Sequence, residues 1–426
     1  MPDATESVPI IVDEIALAPR SLRLAVVTET YPPEVNGVAA TLACCVEGLR
    51  ARGHQVQLVR PRQEAADAAP LRPEDRGAWG AWGAPAVLMR GLPIPWYPHL
   101  KMGLPATRAL LRLWTLQRPD VVHIATEGPL GWSALQAARK LRLPVSSDFR
   151  TNFHAYGQHY GLGWLHKPLM AYLRKFHNRC DLTMVPTESL RQQLAGQGLE
   201  RLRVVARGVD AQRFAPRWRS AALRARWGAA ADTPVVLHVG RLAPEKNLAL
   251  LLQAWQAMRA IDPRVRLVMV GDGPMRAELE QACAGQAVVF AGARHGEDLA
   301  EHYASGDIFL FPSVTETFGN VVPEAMASGL AVLGYGYAAA AQLIASGHNG
   351  LLAELERPAA FIAQAQSLAR DPALVQRLRL QARTAAVALS WPQIVAELEH
   401  AFAGLVRHAG AGMGAAPVSR TAAGLP

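Results

Sequence analysis

From Leu22 onward, short apolar runs alternate with longer amphipathic stretches. In the first half, Leu24–Thr28, Val56–Val59, Val121–Ala125, Val145–Ser147 and Thr183–Val185 read as strands. Ala39–Arg52, Pro105–Leu116 and Leu130–Leu141 between them carry helical spacing. Runs that are apolar at nearly every position belong to strands buried on both faces, the condition of a parallel sheet between two layers of helices. The second half repeats the scheme. Val235–Val239, Arg266–Val270, Val288–Ala291, Ile308–Phe311 and Ala331–Leu333 read as strands, and Leu248–Met258, Met275–Ala284, Leu299–Ser305 and Val322–Ser328 as helices. The expected fold is α/β: two doubly wound, Rossmann-like domains facing a cleft. The join falls near Arg207-Gly208-Val209-Asp210, so the expected domains are 21–207 and 208–388. A last helical stretch within 389–408 is expected to pack back on the first domain. Residues 1–20 lack periodicity and read as a flexible leader; 409–426 are rich in Gly and Ala and read as a disordered tail.

Composition agrees with two domains, because 426 residues with 50% hydrophobic content make more core than one compact unit usually encloses. A charged fraction of 19% excludes a mainly disordered chain. No apolar run reaches the length of a membrane span, and the N-terminus lacks the basic start and apolar block of a secretory signal. Cys44, Cys45, Cys180 and Cys283 form no metal-ligand pair, so no disulfide framework or metal is expected and the reducing cytoplasm is the expected compartment. The net charge of +9 suits nucleic acid, an anionic membrane surface, or merely a composition that prefers arginine. Lysine sharpens the picture. Four of five lysines (Lys101, Lys140, Lys167, Lys175) lie in the first half, and Lys246 stands alone in the second.

Ligands of doubly wound sheets bind outside the carboxyl ends of the strands, so the loops there carry the candidate chemistry. After Val239 comes Gly240-Arg241-Leu242-Ala243-Pro244-Glu245-Lys246-Asn247. An arginine fork and a lysine point charge at a helix start suit a diphosphate; an exposed turn with two solvated cations is the other reading. After Val270, Gly271-Asp272-Gly273-Pro274 gives glycines that permit a tight turn and the close approach of a flat ring, or simply join strand to helix. After Phe311, Glu316 sits in a Gly-containing loop and Glu324 in the first turn of a helix headed by Pro323. The backbone amides of Phe318, Gly319, Asn320 and Val321 lie between these carboxylates, while helix-dipole stabilisation alone would account for Glu324.

Glu316 and Glu324 are separated by seven residues, as in the E-x7-E motif of retaining GT-B glycosyltransferases. Together with Tyr31-Pro32-Pro33-Glu34-Val35-Asn36-Gly37-Val38, Gly240–Asn247 and Gly271–Pro274, in that order, the chain resembles glycosyltransferase family 4, the glycosyl transferases group 1, from about Leu22 to Phe402. Within it, the likeness leans to α-mannosyltransferases that act on glycolipids. The resemblance implies a sugar moved from a nucleotide diphosphate donor to a hydroxyl with retention, by a front-face route. It implies that Arg241 and Lys246 hold the diphosphate, Glu324 the ribose, and Glu316 with the Phe318–Gly319 backbone the donor sugar. Gly37 would let the first domain approach the phosphates, and Gly271–Pro274 and Ala293–Arg294 would lie near the base. The chain contains no D-x-D, so no metal is expected and Arg241 and Lys246 would serve in its place. Where many relatives carry a histidine after the strand at Val145, this chain has Arg150 in the matching slot; either Arg150 or His154 contacts the sugar. Ala338–Ala341 and Gln342 stand where relatives often carry glycines and a glutamate.

On the acceptor side, Glu127 could orient a hydroxyl, and His123 either joins it or packs against its strand. Leu165–His177 is a basic amphipathic helix, and Gly91–Met102, with Tyr97, reads as an interface loop; together they point to a lipid or glycolipid acceptor and peripheral contact with an anionic inner membrane face. The competing readings are a UDP-sugar transferase for cell-surface polysaccharide, another GT-B chemistry, a nicotinamide dehydrogenase, and a basic nucleic-acid-binding protein. The chain lacks the G-x-G-x-x-G of the third and any recognition motif of the last, so no nucleic acid is expected as partner.

Overall fold

The computed structural model describes residues 21–34, 36–63, 86–94, 97–150 and 166–413. The leader 1–20, the tail beyond 413 and His154 lie outside the described residues.

The first sheet holds β1 (Arg23–Val27), β2 (Gln55–Pro61), β3 (Val87–Met89), β6 (Val121–Ile124), β7 (Val145–Asp148), β8 (Leu182–Val185) and β9 (Leu202–Val204), in the order β3-β2-β1-β6-β7-β8-β9. Its pairings are all parallel, with Leu24 opposite Val56 on one side and Val121 on the other. The second sheet holds β10 (Val235–Val239), β11 (Arg266–Val270), β12 (Val288–Gly292), β13 (Ile308–Phe311), β14 (Ala331–Tyr335) and β15 (Leu351–Ala353), in the order β12-β11-β10-β13-β14-β15, again parallel throughout. Five strands are additions to the sequence expectation: the short β3, β9 and β15, and two in a separate hairpin. Gly91–Met102 is a hairpin rather than a loop, with β4 (Gly91–Ile94) antiparallel to β5 (Tyr97–Gly103). Its prolines hid it, since proline suits only edge strands.

Each sheet is covered on both faces, which explains the continuous apolar runs. Val235, Leu237, Val239 and Phe309 face one core with Tyr303, Phe318 and Met326; Val236, Leu267 and Leu310 face another with Leu251, Trp255 and Phe361. In the first half, one face is covered by Leu110, Trp114 and Leu135. The other face, Leu24, Val26 and Val121, is covered by the helix Gly37–Ala51 and by Ile394, Val395, Leu398, Ala401 and Phe402 of the helix Trp391–Met413. The C-terminal helix thus packs back on the first domain, and it runs to Met413, past the expected limit of 408. It sits close because Gly48 has no side chain: a Cβ there would lie 2.5 Å from a methyl of Val395.

The chain crosses between the halves twice at one place. Val209 forms a parallel bridge with Ser390, its N–H donating to the Leu389 carbonyl at 2.9 Å. At the amino edge of the second sheet, Asp307 collects three guanidiniums: Arg219 at 2.7 Å, Arg224 at 3.1 Å and Arg379 at 3.1 Å. The same carboxylate accepts the Val235 N–H at 3.0 Å, so β10, β13 and the helix Pro372–Val387 are tied at one point. Replacing one member of such a group leaves its partners uncompensated. Asp307→Asn is expected to destabilise the protein by about 3–5 kcal/mol, read as a lower urea midpoint; a midpoint equal to that of the wild type would show that the cluster carries no net stability.

Candidate active site

The strand orders place both sets of motifs at topological switch points, where ligands of doubly wound sheets bind. β10 is flanked by β11 and β13, and β1 by β2 and β6, so the loops after β10 and β13, and after β1 and β6, diverge around a crevice.

In the second half, the loops after β10 and β13 are joined by charge. Arg241 pairs with the fully buried carboxylate of Glu245, and Lys246 Nζ donates to Glu316 Oε1 at 2.5 Å. The Ser313 hydroxyl donates to the same Glu316 oxygen at 2.8 Å, and the Tyr337 hydroxyl donates to the Glu316 carbonyl at 2.8 Å. Asn247, in the left-handed conformation, ends the turn Pro244–Lys246 and donates from Nδ2 to the Pro312 carbonyl at 3.4 Å. Neither cation is simply solvated, which removes the bland reading of the turn. Glu245 was overlooked in the sequence; its position four residues from Arg241 was the available signal.

Gly271 answers to a packing demand. A Cβ at Gly271 would lie 1.9 Å from the Gly240 carbonyl oxygen, and one at Gly273 would lie 2.4 Å from the Leu242 carbonyl oxygen. Both Gly240 and Gly271 have positive φ, 154° and 140°. The loops after β10 and β11 therefore touch backbone to backbone, with Pro274 exposed beside them. Arg294 turns back on its own loop, donating twice to the Ala291 carbonyl (2.9 and 2.6 Å) and pairing with Asp298 at 3.1 Å.

Glu324 stands in the first turn of the helix Val321–Ala327, and the Tyr303 hydroxyl donates to its Oε2 at 2.9 Å. Burial pushes its carboxyl up to about 7, against the Tyr303 hydrogen bond and the charge of Arg213. Phe318 is buried and its carbonyl accepts from the Ala339 N–H at 2.8 Å, which gives the alanine-rich segment after β14 a role in holding this loop. Gly319 has φ 94°. The side chain of Asn320 reaches the first half, donating to Thr41 Oγ1 at 3.5 Å and accepting from Arg207 Nη1 at 3.2 Å. A Cβ on Gly37 would lie 3.4 Å from the same Asn320 amide, so the Gly37 loop and the Asn320 loop face each other closely.

The expected acceptor residues are placed differently. His123 is buried, with Nδ1 3.0 Å from Ser146 Oγ, Nε2 3.2 Å from Asp148 Oδ2, and its ring 5.3 Å from that of Phe402. It packs under the C-terminal helix rather than opening on the cleft. Glu127 is also buried: Oε1 lies 3.3 Å from His177 Nε2, and its carbonyl accepts from the Tyr172 hydroxyl. Tyr97 belongs to β5, its side chain outside the described residues. Arg150 is buried and donates from Nε to Asp148 Oδ2 at 2.5 Å. Burial opposes the charge of Asp148, yet Arg150 and His123 hold its carboxyl well below the usual carboxylate range. The sequence reading passed over Glu29, just after β1. Its carboxylate accepts N–H groups from Gly103 at 2.5 Å and Leu130 at 3.0 Å, clasping the hairpin to the start of the helix Pro129–Lys140, and burial pushes it up to about 7 against those bonds. Among the described residues, no three His, Cys, Asp or Glu side chains are grouped to hold a metal ion.

Glu29 and Glu324 both bind their protons more tightly folded than unfolded, where 4.5 is the ordinary value. Their contribution to stability is therefore greatest below pH 4.5, falls as pH rises toward 7, and is level above that. Glu324→Gln is expected to flatten part of this fall in the pH dependence of the urea midpoint, leaving the part due to Glu29. An unaltered slope would mean that Glu324 is already ionised across the window.

Comparison with known proteins agrees with this geometry. Residues 35–213 match the model of glycosyltransferase family 4, and 233–371 that of the glycosyl transferases group 1. A GDP-mannose-dependent alpha-mannosyltransferase of Mycobacterium tuberculosis is 36% identical over 88% of this chain and 95% of its own length. The sulfoquinovosyl transferase SQD2 of Arabidopsis thaliana is 32% identical over 76% of this chain and 62% of its own. In fold, the chain matches the crystal structure of Anabaena HepE in complex with UDP with a TM-score of 0.70 at 18% identity, covering 90% of this chain and 100% of that one. With two facing parallel-sheet domains, an ordered motif set at their switch points and these relatives, the chain belongs to glycosyltransferase family 4, the glycosyl transferases group 1, and has the GT-B fold.

Proposed function

We propose that the protein transfers a hexose, with retention, from a nucleotide diphosphate sugar to a hydroxyl of a lipid or glycolipid, and that the donor is GDP-mannose. One observation carries the reading: Arg241 and Lys246 are both fixed on the switch-point loop after β10, each already against a carboxylate, Glu245 of the same loop and Glu316 of the loop after β13. A lysine ammonium has three N–H donors and a guanidinium five, so both can keep Glu316 and Glu245 while meeting phosphate oxygens. Fixed cations that need not reorganise stabilise the charge developing on a departing diphosphate, which is what lowers the barrier. In the front-face step, the anomeric carbon–phosphate oxygen bond breaks, the acceptor oxygen bonds to the same face, and the acceptor proton passes to the leaving phosphate oxygen. Glu324, set deep by Tyr303, accepts from ribose hydroxyls, and Glu316 from the sugar. The mannosyltransferase relatives support the donor.

The lipid acceptor is supported by the outer surface of the first half. Leu92 and Met102 of the hairpin are 55% and 41% exposed, and Lys167, Tyr172, Arg174 and Lys175 of the helix His166–His177 are exposed too. That helix buries its apolar stripe, Leu173 and Phe176, within its own domain, so its contact with an anionic bilayer is electrostatic and salt-sensitive. Among the described residues, no helix is long and apolar enough to cross a membrane.

Glu316→Ala and Lys246→Ala are each expected to lower turnover by about 10²–10³-fold with little change in melting temperature, because both line the crevice. Turnover of GDP-mannose by either variant at the wild-type rate overturns the reading; faster consumption of a UDP-sugar than of GDP-mannose corrects the donor alone. Activity is further expected to survive EDTA, since fixed cations do the work of a metal here. Loss in EDTA with recovery on adding Mg²⁺ would contradict that assignment.

A further inference from the structure

Arg207 belongs to the crossing between the two halves and to none of the motifs above. It is 8% exposed, and its guanidinium does two things at once. Nη1 donates to Asn320 Oδ1 at 3.2 Å, and the charged plane lies 5.5 Å from the centre of the Phe318 ring. Both partners belong to the loop that runs from Glu316 to the helix Val321–Ala327. Asn320 carries the contact onward to Thr41 Oγ1 at 3.5 Å, and the Thr41 hydroxyl donates to the Gly37 carbonyl at 2.7 Å. A continuous polar path therefore runs from the crossing, through the donor loop, to the glycine loop of the first half.

The charge balance shows why this residue matters. Arg207 faces Arg150, Asp148, Cys45 and Glu316; Asp148 is already committed to Arg150, and Glu316 to Lys246. Burial and the repulsion of Arg150 push its guanidinium pKa down to about 9. Its Nη2 is buried with no hydrogen-bond partner among the described residues. A cation so poorly compensated, and with a costly unmade bond, depends on the Asn320 dipole and the Phe318 face for the contacts it does have. The dependence is mutual, because the same contacts are what hold that loop to the first half.

We propose that Arg207 is a positioning residue for sugar transfer: by gripping Phe318 and Asn320 it fixes the Glu316–Asn320 loop against the first half, so that the donor sugar is aligned only while the halves are joined. The inference rests on the transfer reading above for its consequence, and on geometry alone for the grip itself.

The test is a double-mutant cycle with Arg207→Gln, Asn320→Ala and the pair together, measuring kcat, donor KM, affinity for GDP, and melting temperature. Misplacing a sugar-binding loop by about an ångström is worth about 10²-fold in rate, so each single variant is expected to lower kcat by about 10–100-fold, the pair no further than the worse single, with GDP affinity within about threefold of wild type. A kcat unaffected by Arg207→Gln, or single effects that multiply, overturns the proposal. So does a loss of GDP affinity and melting temperature in step with kcat, which is the mark of a merely structural residue. Should Arg207→Gln fail to fold, Arg207→Lys keeps the charge but removes the fork and the flat face, and is read in the same way. Hydrogen exchange of the Phe318–Asn320 amides needs no turnover: in the Arg207 variant it is expected to quicken there and not in β10 or β13. If the wild type consumes no nucleotide sugar, the transfer reading falls, and unchanged exchange at the loop sinks the grip independently.

Discussion

The Lys246–Glu316 ion pair spans the gap between β10 and β13, the two neighbouring strands from which the second sheet is wound in opposite directions. Parallel winding forces the loops after these strands to part, leaving a crevice with nothing in the backbone to close it. Two opposite charges, largely removed from water, hold the parted loops at a fixed spacing. Ser313 and Tyr337 fix Glu316 from its other sides, and Glu245 fixes Arg241 from beneath. One wall of the crevice thus carries two cations whose positions are already set by their carboxylate partners, the arrangement that lets a group act on charge without rearranging itself.

The fold was legible because its physics is local. Val235–Val239, Arg266–Val270 and Ile308–Phe311, read from apolar runs, coincide with β10, β11 and β13. Burial on both faces writes itself into every position of a strand, and needs no knowledge of partners. β9 and β15 are only three residues long, and β4 and β5 carry prolines, so none of them leaves such a trace.

The candidate site was legible in part. Arg241, Lys246, Glu316 and Glu324 announce themselves by charge at strand ends. Whether a carboxylate turns inward cannot be seen from its neighbours in sequence, and so Glu245 and Glu29 were passed over. Arg207 reads only as part of a crossing, because its partners lie 111 to 113 residues away, in a loop brought to it by the meeting of two sheets. Glu127 and His123 show the converse: polar groups at a strand end that the tertiary structure turns into internal supports. The buried charges of the first half are largely spent on its own architecture, and its outer surface carries exposed lysine, arginine and a few apolar side chains.

The helix Trp391–Met413 supplies Ile394, Val395, Leu398, Ala401 and Phe402 to the core beneath β1 and β6. A ribosome makes those residues after the whole second half. The first two hundred residues therefore emerge with one flank of their sheet covered by the helix Gly37–Ala51 alone, and the rest of that cover comes only after the second half is synthesised. The first half is thus completed only by a helix that follows the second, so a chain stopped before Trp391 is expected to leave part of that apolar face bare rather than form a smaller working domain.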